Sequence, residues 1–122
     1  MSFNSLLAYQ KSFELAMTIF EISKSFPKEE TYALTDQIRR ASRSTCANIA
    51  EAYRKRIYPK HFTSKLTDSD GENSETQVWI NFAEACEYIS KEKKEILTNK
   101  SIEVGKLINY MILNPEKFGV NC

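Results

Sequence analysis

Residues 34–52 constrain the fold of this chain most, because their apolar side chains recur at steps of three and four. The positions on this stripe are Leu34, Ile38, Ala41, Thr45, Ile49 and Ala52. An α-helix has 3.6 residues per turn, so all of them share one face. Arg39, Arg40 and Arg43 lie off that face. The segment therefore predicts a long amphipathic helix that buries one side against other helices.

Three further segments carry helical patterns, and the pattern predicts helices over about 5–25, 30–56, 60–89 and 91–114. Pro27 and Pro59 mark the first two joints, because the residue before a proline disfavours the α region. Ser90 marks the third joint, and no segment alternates like a strand. Short joints favour an all-α, antiparallel up-down-up-down four-helix bundle. A chain of 122 residues is expected to form one domain, 1–122.

The outer helices are expected to contribute apolar stripes to the same core. The first helix offers Leu6, Tyr9, Phe13, Ala16, Met17 and Phe20, and the fourth offers Ile96, Val104, Leu107, Ile108 and Met111. Residues 98–101 are weakly helical and predict fraying or a kink, and residues 116–122 are expected to be loose. Gly71 costs its helix about 1 kcal/mol relative to alanine, which a closely approaching neighbouring backbone would explain.

The second half of the third helix is apolar on nearly all sides, from Val78 to Cys86. Val78 and Ile80 are two positions apart, which is about 200° around a helix. Both cannot face one core, so this half must be covered on two sides. The predicted oligomer interface consists of Val78, Trp79, Phe82 and Cys86.

Composition points away from secretion, membranes and catalysis. Three cysteines without a C-x-x-C pair, one of them the terminal Cys122, fit a reduced, cytoplasmic protein. Residues 1–4 carry no basic leader, and no apolar run approaches the ~18–20 residues of a membrane span. The single His61 excludes a multi-histidine metal site, and no nucleophile is paired with a base. We therefore expect no enzyme, cofactor, metal or small-molecule substrate.

Charge is divided between two adjacent segments. Residues 36–60 hold seven basic and two acidic side chains, a net charge of +5. Residues 61–90 hold one basic and six acidic side chains, a net charge of −5. These charges can be satisfied within one fold or between subunits, or the basic segment can bind nucleic acid. The acidic residues Asp68, Asp70, Glu72 and Glu75 fit a solvated face or a hard-cation cluster, but their spacing does not fit a calcium loop.

Basic and aromatic residues alternate at the end of the second helix, over residues 53–62. The candidate nucleic-acid-binding residues are Arg54, Lys55, Arg56, Tyr58 and Lys60. Cations bind phosphates and aromatic rings stack on bases, so this composition is typical of single-strand binding. Cations are also favoured at a helix C-terminus by the helix dipole, which is the structural alternative.

Two polar residues, Asn48 and Glu51, lie beside the apolar stripe of the second helix. One interpretation is a polar network that sets helix register, and the other is a ligand site. The candidate network consists of Arg39, Arg40, Asn48, Glu51 and Glu75. Cys46, with no basic partner one turn away, is interpreted as a small buried hydrophobe.

Several motifs together resemble a known family. They are F-P-x-x-E at 26–30, L-x-x-Q-I-R-R-A at 34–41, N-I-A-E at 48–51, S-D-G-E-N at 69–73 and E-T-Q-V-W at 75–79. This pattern is similar to the four-helix-bundle family whose founding members are the 23S rRNA intervening-sequence proteins of bacteria. The resemblance covers about residues 6–118. Many relatives have proline where Cys46 stands and glycine where Ala52 stands, so the second helix is expected to be straighter here.

The resemblance implies a homopentamer with a link to nucleic acid. Genes of the intervening-sequence proteins lie within inserts excised from 23S rRNA. A similar protein, the accessory variability determinant of diversity-generating retroelements, is a basic pentamer that binds nucleic acid and a reverse transcriptase. No catalytic residues come with the family.

Three functional hypotheses follow. The first is a non-enzymatic, oligomeric, RNA-associated protein, which the near-neutral net charge of +1 weakens. The second is an interaction module that recruits a partner protein without binding nucleic acid. The third, a nuclease acting on the rRNA insert, rests on the acidic cluster alone.

Overall fold

The computed structural model describes residues 2–120, and the expectations for Met1 and Cys122 lie outside this range. Within it the chain forms four α-helices: α1 (Leu7–Ser23), α2 (Leu34–Arg54), α3 (Pro59–Ala85) and α4 (Lys91–Leu113). Short 3-10 helices occupy Phe3–Ser5, Lys28–Glu30 and Pro115–Phe118, and this part of the chain contains no strand. The predicted all-α class is confirmed, with helix ends within four residues of those expected.

The helices run antiparallel to their neighbours, and α4 packs against both α3 and α1. Ser69 of α3 donates to the Thr45 carbonyl of α2 at 2.6 Å, while Lys65, earlier in α3, pairs with Glu51, later in α2. Residue numbers that rise along α2 thus fall along the adjoining α3, so these two helices are antiparallel. The salt bridges Lys11–Glu103 and Glu14–Lys100 show the same relation for α1 and α4. The up-down-up-down bundle is confirmed.

The predicted stripe of α2 is buried at all six positions, and Ile49 and Ala52 are 0% exposed. It packs against Phe62, Leu66 and Ile80 of α3 and forms one core with Leu97, Val104, Ile108 and Met111 of α4. Burying each large side chain of this kind contributes about 1.5–3 kcal/mol. The periodicity of α2 thus organises the whole bundle.

The predicted stripe of α1 was partly wrong. Phe13 and Met17 are 50% and 45% exposed, and the core instead receives Ala8, Ser12, Leu15, Ala16, Ile19 and Ser23. The hydroxyls of Ser12 and Ser23 donate to carbonyls of their own helix at 3.0 and 3.1 Å. Because these bonds satisfy the hydroxyls, small polar residues can line the core, and two large apolar side chains are left on the surface.

Several smaller expectations for α3 and α4 were also wrong. Ile96 is 48% exposed while its neighbour Leu97 is buried, so the apolar stripe of α4 starts one position later. Residues 98–101 are helical without interruption, because Ser101 is buried and bonded to Asn73 of α3. Gly71 has open space around it, so no neighbouring backbone explains it.

The C-terminal segment is packed as far as Val120, contrary to the expected loose tail. Val120 is 3% exposed, and its amide donates to the Pro115 carbonyl at 3.2 Å. Phe118 packs against the core cluster and stacks edge-on with Tyr110. This return of the chain brings Gly119 beside Arg56 in the α2–α3 turn.

At the opposite end of the bundle, Glu30 joins the two remaining connections. The Tyr88 hydroxyl donates to Glu30 Oε2 at 2.8 Å, and Glu30 Oε1 accepts from the Leu34 amide at 3.2 Å. The hydrogen bond to the carboxylate raises the pKa of Tyr88 to about 12. Glu87 takes a left-handed conformation with φ 64°, which turns the chain so that Tyr88 reaches Glu30.

Candidate functional site

The α2–α3 turn exposes most of the candidate nucleic-acid-binding residues. Arg54 is the last residue of α2, and Lys55 and Tyr58 belong to the turn. Arg54, Lys55 and Lys60 are exposed, and within residues 2–120 none of them forms a salt bridge. Tyr58 is 54% exposed, and Ile57 beside it is 79% exposed. The turn therefore presents positive charge together with uncovered aromatic and aliphatic surface.

Arg56 differs from the other cations of the turn because it is engaged with its own fold. Its Nε donates to the Tyr53 carbonyl at 2.7 Å, and its guanidinium carbon lies 3.7 Å from the centre of the Tyr53 ring. Gly119 closes over the same guanidinium group. The structural alternative, cations that complete a helix C-terminus, thus describes Arg56. Arg54, Lys55 and Lys60 remain turned to solvent.

A cleft of about 480 Å³ lies beside these residues and is lined by Ser2, Phe3, Tyr53, Arg54 and Arg56. The sequence did not indicate Ser2 or Phe3, which the N-terminal 3-10 helix brings against the end of α2. Phe3 packs against Tyr9 with ring centres 5.0 Å apart, which anchors this segment. No sequence signal links position 3 with position 54, because the contact depends on how α1 crosses α2.

The five residues of the candidate polar network enter separate contacts. Arg39 donates to Ser23 Oγ at 2.7 Å and to the Phe20 carbonyl at 3.4 Å, and so joins α2 to α1. Glu51 pairs with Lys65 of α3 at 2.9 Å. Arg39 and Glu51 are therefore the members that tie α2 to its neighbours.

The other three members bond within their own helices. Asn48 Nδ2 donates to the Ser44 carbonyl at 2.9 Å, and Arg40 Nε lies 4.0 Å from the Asp36 carboxylate. Glu75 accepts from the Trp79 indole nitrogen at 3.3 Å. Arg40 and Glu75 nevertheless face each other across the groove between α2 and α3.

That groove, of about 480 Å³, has basic residues on one wall and acidic residues on the other. Arg40 and Arg43 of α2 line it opposite Glu72 and Glu75 of α3. Burial and the charge of Glu75 raise the pKa of the Glu72 carboxyl. Among residues 2–120 the salt bridge between α2 and α3 joins Glu51 to Lys65. Glu51 is one of the two acidic residues of the basic segment 36–60, and Lys65 is the one basic residue of the acidic segment 61–90. Among the described residues, the basic side chains of the first segment thus form no salt bridge with the acidic side chains of the second.

A second groove, between α1 and α2, is apolar and measures about 360 Å³. It is lined by Phe3, Tyr9, Phe13, Ala16, Met17, Arg43, Cys46, Ala47 and Ala50. Cys46 is 7% exposed, as expected for a small buried hydrophobe, and burial raises the pKa of its thiol. Phe13 and Met17, which were expected in the core, form one wall of this groove instead.

The outer face of α3 carries the candidate interface residues. Val78 and Phe82 are 46% and 52% exposed, one turn apart. Trp79 is partly buried and its ring centre lies 5.7 Å from that of Phe82. Cys86, at the end of the helix, is a free, exposed thiol. In the single chain Val78 and Phe82 are uncovered and Trp79 packs partly against the core, while Ile80 and Ala83 of the same helix fill it.

The described part of the chain shows neither a metal-binding cluster nor a membrane span. Residues 2–120 contain no group of three or more histidine, cysteine, aspartate or glutamate side chains that could hold a metal ion. None of their helices is both long enough and apolar enough to cross a bilayer.

The fold and its surfaces define a class: antiparallel four-helix bundles with a basic inter-helix turn and uncovered apolar faces. Within that class, residues 4–110 match the family model described as 23S rRNA-intervening sequence protein, and this chain belongs to that family. The resemblance inferred from the sequence motifs is confirmed.

A solved structure has the same fold. It is a protein of unknown function from the S23 ribosomal protein family of Bacteroides thetaiotaomicron. The two are 32% identical, the match covers 92% of this chain and 98% of that one, and the TM-score is 0.79. A comparison with curated proteins gave no match.

Proposed function

We propose that this chain is a non-enzymatic, oligomeric, RNA-associated protein that contacts phosphate groups through its α2–α3 turn. The observation that carries the proposal is the exposure of Arg54, Lys55 and Lys60, which form no salt bridge among residues 2–120. Such cations can neutralise phosphates without first breaking an internal ion pair. The description of the family by the 23S rRNA intervening sequence supports RNA as the polyanion.

The turn suits unpaired RNA better than a duplex. Tyr58 is 54% exposed beside these cations, and a tyrosine ring can stack on a splayed base of any identity. In an A-form helix the bases are already stacked and the deep groove is closed to side chains. The substrate class is therefore single-stranded RNA, read with little sequence preference.

The net charge of +1 limits how strongly one chain can bind. Each phosphate neutralised on a single strand contributes about −0.7 to the slope of log affinity against log salt concentration. With three cations in contact, the expected slope is about −2 per chain. Assembly into an oligomer, a homopentamer by resemblance to the family, repeats the turn and raises the avidity for a long RNA.

Fluorescence anisotropy with a labelled single-stranded RNA at low salt tests the proposal. The triple variant Arg54→Ala, Lys55→Ala, Lys60→Ala is expected to lose at least about tenfold in affinity and most of the salt dependence. Arg56 is left unchanged in this variant because it bonds to the Tyr53 carbonyl and packs on the Tyr53 ring. The matched control replaces Lys91, Lys93 and Lys106 of α4 by alanine, which removes the same charge from other exposed positions and should change affinity less than about threefold.

Two results would overturn RNA association through this turn. One is the absence of binding at low salt by the wild-type protein. The other is an equal loss of affinity in the two triple variants, which would indicate a response to total charge alone. Binding of duplex RNA as tightly as single strands would refute the assigned substrate class.

A second candidate function is recruitment of a partner protein without direct nucleic-acid binding. The uncovered apolar residues Val78 and Phe82 and the α1–α2 groove favour it. It predicts that Phe82→Glu abolishes capture of a protein from the native cells, while the triple turn variant captures it unchanged. The cytoplasm is the compartment proposed for either function, since Cys46 and Cys86 are free thiols.

A further inference from the structure

We infer that the cleft between the N-terminal 3-10 helix and the end of α2 binds the terminal phosphate of a single-stranded RNA. The inference rests on the proposed function, because it gives the RNA a second point of contact beside the α2–α3 turn. Ser2, Phe3, Tyr53, Arg54 and Arg56 line this cleft, which measures about 480 Å³. A cleft of that size can hold a small ligand such as one nucleotide at the end of a strand.

Arg56 is held so that one part of its guanidinium group is bonded and the rest is left for a ligand. Its Nε donates to the Tyr53 carbonyl at 2.7 Å, and among residues 2–120 this is the one hydrogen bond of the side chain. The guanidinium carbon lies 3.7 Å from the centre of the Tyr53 ring, which fixes the plane of the group. The group is reached from the cleft, although Gly119 lies beside Nη1. A planar pair of donors in a fixed orientation matches two oxygens of a phosphate.

Ser2 contributes a hydroxyl whose hydrogen is left to donate. Its Oγ accepts from the backbone amide and from Nδ2 of Asn4, at 3.3 and 3.2 Å. Two accepted bonds occupy both lone pairs of a hydroxyl, so a further partner of this oxygen must be an acceptor. Arg54, which is exposed, adds a second guanidinium group to the same cleft.

A terminal phosphate fits these donors better than a phosphodiester inside the strand. A phosphate monoester carries about −1.5 to −2 charges at pH 7 and has three oxygens that accept strong hydrogen bonds. An internal phosphodiester carries one charge and has two such oxygens. Arg56 can bind two oxygens of a monoester through its pair of donors, which leaves the third for Arg54 and Ser2.

Phe3 gives the cleft an aromatic side against which the terminal base can pack. Its ring is held edge-on by Tyr9, with ring centres 5.0 Å apart and planes at 64°. Every base has an aromatic face, so packing on a ring is tolerant of sequence. The cleft therefore selects the end of a strand and not a particular base.

The groove between α2 and α3 is a poorer site for a phosphate, although arginines line it as well. Arg40 and Arg43 there face Glu72 and Glu75, whose negative charges repel an anion. Among the described residues, those that line the cleft beside Phe3 include no aspartate or glutamate. The terminal phosphate is accordingly assigned to the cleft at the end of α2.

Fluorescence anisotropy on the full chain tests the inference with three versions of one short, unstructured RNA. The first ends in a 5′-hydroxyl, and the second carries a 5′-phosphate. The third ends in a 5′-hydroxyl but is two nucleotides longer, so it adds a similar charge as internal phosphodiesters. The phosphorylated RNA is expected to bind at least about tenfold more tightly than either of the others. A phosphate at the 3′ end instead distinguishes the two ends of the strand, and tighter binding at either end supports the inference.

Arg56→Lys is the variant that separates the pair of donors from its charge. It keeps one positive charge but loses the planar donors and the stacking on Tyr53. The preference for the phosphorylated RNA should fall below about threefold, while the affinity for the unphosphorylated RNA stays within about twofold of wild type. Arg40→Lys, outside the cleft, is the matched control and should keep the preference.

Ser2→Ala provides a second variant in case the change at Arg56 disturbs the fold. Ser2 is exposed, and its hydroxyl bonds only to Asn4 among the described residues. The variant should lower the preference by at least about threefold. Ser74→Ala, at an exposed position of α3, is its control, and circular dichroism should show that all variants are folded.

The double variant Lys55→Ala, Lys60→Ala distinguishes this inference from the proposed function. Both residues belong to the turn and not to the cleft, so the variant should weaken the binding of all RNA versions by the same factor and keep the preference for a terminal phosphate.

Three results would overturn the inference. Salt-dependent binding of every RNA without preference for a phosphate at either end would refute the terminal-phosphate site and leave RNA association through the turn intact. A full preference retained by folded Arg56→Lys and Ser2→Ala variants would refute the assigned cleft. Absence of binding by all RNA versions at low salt would refute the inference and the proposed function together.

Discussion

Asn73 of α3 and Ser101 of α4 hold each other through two buried hydrogen bonds. Asn73 Nδ2 donates to the Ser101 carbonyl at 2.9 Å, and Ser101 Oγ donates to Asn73 Oδ1 at 2.9 Å. Gln77 adds a third bond to the same hydroxyl, also at 2.9 Å. Both groups of the Asn73 amide are thereby satisfied inside the core, so the contact specifies the register of α3 against α4.

Removing either partner is expected to destabilise the bundle. Asn73→Ala should lower the free energy of unfolding by about 1–3 kcal/mol, because it leaves the Ser101 carbonyl and hydroxyl short of partners. The double variant with Ser101→Ala should cost less than the sum of the single changes, since the two residues share their bonds. Urea denaturation measures all three. Asn109→Ala, at an exposed position of α4, is the control, and strictly additive losses would contradict the paired role.

The two helical glycines are expected to respond in opposite ways to alanine. Gly71→Ala meets open space and should stabilise the protein by up to about 1 kcal/mol. At Gly105 the added methyl would lie 3.3 Å from Asn73 Nδ2, which is held in place by its hydrogen bond. Gly105→Ala should therefore be at least about 1 kcal/mol less stable than Gly71→Ala. Thermal melts test the difference, which should shrink when Asn73 is alanine.

Two adjacent arginines are expected to differ sharply in their contribution to stability. Arg39→Ala removes the bond to Ser23 at 2.7 Å and the contact with the Phe20 ring at 4.8 Å, and should cost about 1–3 kcal/mol. Arg40→Ala removes a 4.0 Å pair with Asp36 from a side chain that is 74% exposed. It should cost less than about 0.5 kcal/mol. Equal losses in chemical denaturation would contradict the role assigned to Arg39.

Glu72 and Glu14 are expected to change the pH dependence of stability with opposite signs. Burial and Glu75 raise the pKa of the Glu72 carboxyl, so between its ordinary and its raised pKa the folded state holds a proton that the unfolded state has lost. The free energy of unfolding therefore falls as the pH rises through this raised pKa. Glu72→Gln should raise the Tm at neutral pH and change it little well below the ordinary value of 4.5.

At Glu14, the hydrogen bond from Lys100 lowers the pKa of the carboxyl. Its contribution to stability is present above the ordinary value of 4.5 and is lost as the pH falls through the lowered pKa. Glu14→Gln should therefore lower the Tm at neutral pH and have little effect in strong acid. Melting curves by circular dichroism at neutral and acid pH measure both variants. A shift of the same sign at neutral pH would contradict the assignment.

The sequence by itself determined the fold class, the antiparallel order and the buried stripe of α2. Helical periodicity is a local property, and the six buried positions of the stripe from Leu34 to Ala52, five apolar residues and Thr45, express it fully. The prolines at 27 and 59 located the joints for the same reason, because a proline restricts its own neighbour in the chain. The basic and aromatic composition of the α2–α3 turn could likewise be read directly.

Only the tertiary structure decided which face of α1 is buried. Hydrophobicity predicted that Phe13 and Met17 face the core, but Ser12 and Ser23 are buried there instead. Their hydroxyls donate to carbonyls of the same helix and are thereby satisfied. Small residues let α1 approach its neighbours closely, and Arg39 adds a bond to Ser23 from α2. The apolar groove between α1 and α2 exists because Phe13 and Met17 remain on the surface and line it.

The tertiary structure also separated Arg56 from the other cations of the turn. All of them look alike in the sequence, but the packed C-terminal segment brings Gly119 against Arg56, and Tyr53 stacks beneath its guanidinium group. Close packing and hydrogen-bond satisfaction depend on residues distant in sequence, so a local pattern cannot specify them. The sequence pattern thus determined where the helices form, and the contacts between helices determined which side chains are exposed for function.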